Sequence, residues 1–147
     1  MRRLFIALLA GLAAGPTLAA SVDSASVISK LDPAWQELEN KTAKLIGRDS
    51  QHAMVDMAYA EVAIDACPGL TANKAAFDKG FEGLSSDPLK KRKPEEQRPF
   101  EHQVMAFFGV YTGLILSESF IDRDAFCKDV AGVQSRKGGP SQYWVAK

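Results

Sequence analysis

The sequence predicts an all-α fold, a small bundle of four to five helices pinned by one disulfide after a cleaved signal peptide. Three observations point there. Apolar residues recur at helical spacing in segments separated by Gly and Pro, and no strand-period alternation runs between them. The chain has 147 residues but only two cysteines, Cys67 and Cys127. It opens on a leader that is first positive, then apolar, then built of small residues.

In that leader Arg2 and Arg3 precede the apolar run Leu4 to Ala14, Gly15 and Pro16 break it, and Thr17 to Ala20 supply small residues for cleavage. The run is shorter than the roughly 20 residues a membrane span needs. Residues 1–20 are therefore expected to be removed, leaving a mature chain that begins near Ser21 in the periplasm or outside the cell, with no transmembrane segment. Arg2 to Ile6 resembles the core of a twin-arginine signal, but so short a positive region fits the general secretory route better. In such a compartment Cys67 and Cys127 are expected to pair with each other. Closing a loop of that size is worth roughly 3–5 kcal/mol in the chain-entropy model.

Residues 21–134 are expected to form the helical domain. Residues 21–31, small and polar, read as a loose lead-in. Asp32 then caps a first helix with Pro33 at its first position, where a missing N–H costs nothing. Trp35, Leu38, Thr42 and Leu45 form its apolar stripe and Gly47 its stop. A second helix starts at Asp49 or Ser50 and runs to Ala66, ended by Cys67-Pro68-Gly69. Thr71 or Asn73 caps a third helix carrying Phe77, Phe81 and Leu84, weakened at Gly80 and Gly83 by about 1 kcal/mol each relative to Ala. Residues 85–99, with Pro88, Pro94, Pro99 and a block of charge, are expected to be an exposed loop.

The fourth helix begins between Pro94 and Phe100 and continues to Ser117. Its stretch Val104 to Leu116 is apolar on nearly every face, which predicts a helix surrounded by others, with Gly109 and Gly113 marking a close crossing inside the bundle. Asp122 caps a fifth helix bearing Phe126, Val130 and Val133, with Cys127 beside them. The disulfide would then clamp this last helix to the end of the second. Residues 135–147 form a tail, entered through Gly138-Gly139-Pro140 and either disordered or docked by Tyr143 and Trp144.

Charges balance at 18 basic against 18 acidic residues, so loss of Arg2 and Arg3 leaves a slightly acidic chain. Such a chain has no electrostatic footprint for nucleic acid. It contains no Cys-x-x-Cys-His, no glycine-rich phosphate loop, no nucleophile elbow and no triad, so no cofactor and no enzyme are expected. Two sets of residues suit a metal: His52 with Asp56 one turn on, and His102 with Met105, since imidazole and thioether are ligands for copper in exported proteins. Without a repeated Glu-x-x-His this stays the alternative. Glu61 and Asp65 repel each other in the last turns of the second helix and are the strongest acid–base pair on offer.

The basic cluster Lys90 to Lys93, represented by Lys91 and Arg92, and the aromatic tail residues Tyr143 and Trp144 are the expected contacts with an unidentified protein partner. The plan of an exported helical domain with one disulfide is similar to acid-activated periplasmic chaperones and to helical immunity proteins. That likeness is one of architecture; no motif aligns and no site carries over. The expected function is that of an exported protein working through protein–protein contacts, as an inhibitor, immunity factor, chaperone or assembly subunit.

Overall fold

The computed structural model describes residues 24–134 and 138–147; the predicted signal peptide lies outside the described residues. Five helices follow in order, α1 (Ser24–Ile46), α2 (Arg48–Ala66), α3 (Lys74–Lys90), α4 (Pro94–Ile121) and α5 (Arg123–Gln134). A 3-10 helix (Gly139–Tyr143) and two short strands, β1 (Leu70–Ala72) and β2 (Trp144–Ala146), complete the described residues.

Helix α2 is the hub. It packs against α1, α3, α4, α5, the 3-10 helix and β1. Its sequence explains why so many neighbours fit: Ala58, Ala60 and Ala63 are fully buried, and small side chains let surrounding helices approach. Met54 and Met57, also fully buried, fill the irregular gaps that remain. Gly47 separates α1 from α2 at φ 87°, a left-handed conformation open to glycine at no steric cost. Its N–H closes α1 on the Ala43 carbonyl, and its own carbonyl accepts the first α2 bond from Gln51.

The C-terminal end of α2 is secured twice. Cys67 bonds to Cys127 of α5 across a Cα–Cα distance of 5.5 Å, as the sequence predicts. Arg123 Nε donates to the Ala66 carbonyl at 2.6 Å, placing a cation at the negative end of the helix dipole. The predicted cap at Asp122 is also present, with Oδ1 accepting from the Ala125 N–H at 2.9 Å.

The tail is docked. β2 pairs antiparallel with β1 in the register Leu70–Ala146, Thr71–Val145 and Ala72–Trp144. Backbone bonds from Asn73 to Tyr143 and from Lys147 to Gly69 extend the pairing at both ends. Asn73, one of the two predicted caps of α3, joins the two features. Its Oδ1 accepts from Ala76 N–H while its Nδ2 donates to the Gln142 carbonyl. Strands of three residues are too short to show a period, which is why the sequence shows none.

Three expectations need correction. α1 begins at Ser24 and carries Pro33 in its interior, so residues 24–31 are helical and no loose lead-in separates them from Asp32. The loop expected over residues 85–99 shrinks to Lys91–Lys93, because α3 runs to Lys90 through Pro88 and α4 starts at Pro94. Proline at the first helical position needs no N–H partner, and Glu96 reaches back to accept from the Lys93 N–H at 3.3 Å. The third concerns Gly80. It weakens α3 in isolation, but an added Cβ would lie 2.6 Å from Met57 Sδ and 3.1 Å from the Tyr143 ring. The missing side chain is the space in which the tail docks.

Replacing both cysteines by serine is expected to lower stability by roughly 3–5 kcal/mol in urea unfolding. A loss below about 1 kcal/mol would show that the other α2–α5 contacts suffice without the bond.

Candidate functional site

The residues singled out in the sequence are not brought together. His52 and Asp56 stand on α2, with His52 exposed and Asp56 half-buried. Burial pushes the Asp56 carboxyl above its ordinary 3.8, while the neighbouring His52 pulls it down. His102 and Met105 stand on α4, both exposed. Among the described residues, no group of three or more His, Cys, Asp or Glu side chains converges where a metal ion could be held. Glu61 and Asp65 are exposed on α2. Asp65 lines a notch with Arg123, whose Nε is turned to the Ala66 carbonyl.

The expected contact residues are mostly inside. Tyr143 and Trp144 are each 4% exposed. Tyr143 packs tilted against Phe77 at 5.1 Å between ring centroids and covers Gly80, and Trp144 lies 6.4 Å from Tyr59. Both are core residues of the docked tail, so replacing them cannot spare the fold as a surface position would. Arg92 lays its guanidinium 4.3 Å from the centre of the Phe100 ring and is half-buried. Lys91 is exposed, and with Arg92 it edges a groove of about 540 Å³ against Leu45, Ile46, Ser50 and Glu96. Glu96 offsets part of the positive charge there.

The feature that sequence reasoning places wrongly is the outside of α4. Val104 and Tyr111 are buried against the bundle, and so are Phe100 and Ile115. Tyr111 accepts a 3.4 Å hydrogen bond from Gln51 Nε2, and Trp35 Nε1 donates to Glu118 at 3.1 Å. Only one side of the helix is used in this way. Gly109 and Gly113 are exposed, and a Cβ added at either would meet nothing within 4 Å. The expected close crossing inside the bundle is therefore not made by the described residues.

Ala106, Gly109, Gly113 and Phe120 follow one another at helical spacing along this outer side. Phe120 is 80% exposed, with Met105 at 52% and Val110 at 49% on the flanks. From His102 to Ser117 the helix carries no Asp, Glu, Lys or Arg. An apolar notch of about 280 Å³ lies near its N-terminal half, between Phe81, Glu101, Val104 and Met105. Over an 18-residue window α4 has a mean hydropathy of 1.6 with 22% buried, so by length and composition it could cross a membrane. The sequence signal was present, as apolar residues on every side of the helix. Periodicity does not say whether the second side is covered by the same chain.

No protein-family model matches the chain, and neither a curated protein nor a solved structure matches it.

Two outcomes follow from these placements. Trp144→Ala is expected to cost about 3–5 kcal/mol in urea unfolding, the range for a buried aromatic, where a surface position would cost almost nothing. For Asp56 the folded state holds its proton more tightly than the unfolded chain. The stability this confers is complete below the ordinary value of 3.8 and is lost as pH rises through the raised one. Asp56→Asn should therefore melt higher than the parent at pH 7, with the gap closing as pH falls towards 3.8. A gap constant with pH would assign the effect to something other than the carboxylate.

Proposed function

We propose that this is an exported helical protein that acts by protein–protein contact, and that the outer side of α4 is the contact surface. One observation carries the surface: a helix apolar on both sides is packed on one side alone, with Phe120 standing 80% in solvent. Exposed glycines in a helix cost about 1 kcal/mol each relative to Ala. Among the described residues Gly109 and Gly113 have no neighbour that needs their small size. A partner backbone passing over them would need it. The leader and the disulfide support the exported part of the reading, since such bonds persist in oxidising compartments.

The character of the surface narrows the kind of partner. Promiscuous binders use flexible, methionine-rich or loop-rich surfaces. Here the surface is one regular helix held by the core, and a rigid, uncharged ridge suits one fixed partner in an assembly better than many clients. The membrane reading is weaker. The side of α4 opposite the glycines supplies Phe100, Val104, Tyr111 and Ile115 to the core, and a span would have to give these up.

A photo-crosslinking amino acid placed at Phe120 or Val110 in the cell is expected to capture a discrete polypeptide, whereas the same group at the exposed Glu61 on α2 should not. Equal labelling at all three positions, or none at Phe120 and Val110, would reject the surface.

A further inference from the structure

We infer that the groove between α3 and the start of α2 binds an extended acidic peptide, at a surface separate from the outer side of α4. The groove of about 540 Å³ edged by Lys91 and Arg92 does not end there. It meets a cleft of about 560 Å³ at Ser50 and Gly83, which line both. The cleft continues along α3 past Gly80, Lys79 and Ala76, with Asp49 and Ala53 of α2 opposite. Ala76, Gly80 and Gly83 follow one another at helical spacing, so one low side of α3 forms the floor. From Ala76 to Pro88 the floor runs about 18 Å at 1.5 Å per residue, the length of about five extended residues. The small size of Gly80 is explained by Tyr143. That of Gly83 is not: it is exposed where the two halves join, and an added Cβ would meet nothing within 4 Å. Of the described residues lining the groove, only Glu96 belongs to α4.

The polar groups along the groove define what fits it. Tyr143 is enclosed by the core, 4% exposed, yet its Oη lies against Gly80 on the wall of the cleft and has no hydrogen-bond partner among the described residues. At the other end Arg92 is held over the Phe100 ring at 4.3 Å, and its buried Nε has no acceptor among the described residues. Lys79 and Lys91 are exposed on the same groove. Among the described residues none of these three cations is in an ion pair, although Lys41 and Lys74 each pair with a carboxylate one turn away. Of the two carboxylates on the groove, Glu96 accepts from the Lys93 N–H, and Asp49 stands in the first turn of α2, where the helix dipole favours it. The groove is therefore rich in donors, spread from Tyr143 to Arg92. A small anion reaches one end of such a row. An extended peptide supplies carbonyl oxygens along its length, and an acidic side chain for Lys91 and for the Arg92 guanidinium, whose planar fork matches a carboxylate.

Affinity selection on the oxidised, purified protein, read by mass spectrometry, tests this. The probe is a pool of capped hexapeptides with one Glu at either end and the other positions randomised, run beside the same pool with Gln in place of Glu. The Glu pool is expected to yield enriched peptides and the Gln pool none. Gly83→Leu should abolish the enrichment and keep the helix content, since the new side chain enters the groove and meets nothing among the described residues. Tyr143→Phe keeps the ring against Phe77 and should weaken the selected peptides about fivefold, the worth of one hydrogen bond. Gly132→Leu, equally open but on α5, should bind like the parent. No enrichment from the Glu pool, equal enrichment from the Gln pool, or full binding by Gly83→Leu overturns the proposal. Binding of linear polyphosphate in place of the peptides overturns it too and assigns the groove to a polyanion.

Discussion

The other elements of this molecule are arranged around α2, which packs against six of them. A helix can take so many neighbours only if its inward side chains are small or adaptable, and Ala58, Ala60, Ala63, Met54 and Met57 meet that condition. The polar ends of such a helix then become the problem, since orphan carbonyls cannot be left in an apolar interior. Arg123 answers at the C-terminal end, where the disulfide also fixes α5 over the last turn. Gly47 answers at the other, by turning α1 back sharply while keeping both helices' hydrogen bonds intact. Gly80 follows from the same enclosure, because the tail can reach Met57 only where α3 has no side chain.

Enclosure of α2 leaves the other helices one-sided. For α1, α3 and α5 this matches a polar outer surface. α4 is different: it gives Tyr111 and Val104 to the core yet keeps Phe120, Val110 and two glycines outside. Among the described residues no further helix covers that surface. The ridge is where local sequence and isolated fold disagree, and such disagreements mark functional surfaces more often than structural ones.

Helix identity, the disulfide and most punctuation were legible in the sequence because they depend on local signals. Gly47, Asn73 and Asp122 act through their own backbone or side chain within a few residues, so each could be read in place. Proline was legible as a boundary at Pro68 and Pro94 but not at Pro33, Pro88 and Pro99, which sit inside helices, where packing of the surrounding turns outweighs the lost hydrogen bond. The candidate site fared worse, for a physical reason. Tyr143 and Trp144 look like an exposed aromatic tip in a polar tail, and only the pairing of β2 with β1 turns them inward. The α4 ridge fails in the opposite direction, since apolar residues on all sides of a helix predict burial without saying which chain provides it.

The clasp between β1 and β2 joins the middle of the chain to its last residues. Tyr143 and Trp144 belong to the same core as Met57 and Tyr59, so that core is incomplete until residues 143 and 144 have joined it. Until then the space beside Gly80 that receives the Tyr143 ring stays open. The tail therefore completes the core only when residues 138–147 fold back onto β1 and α3.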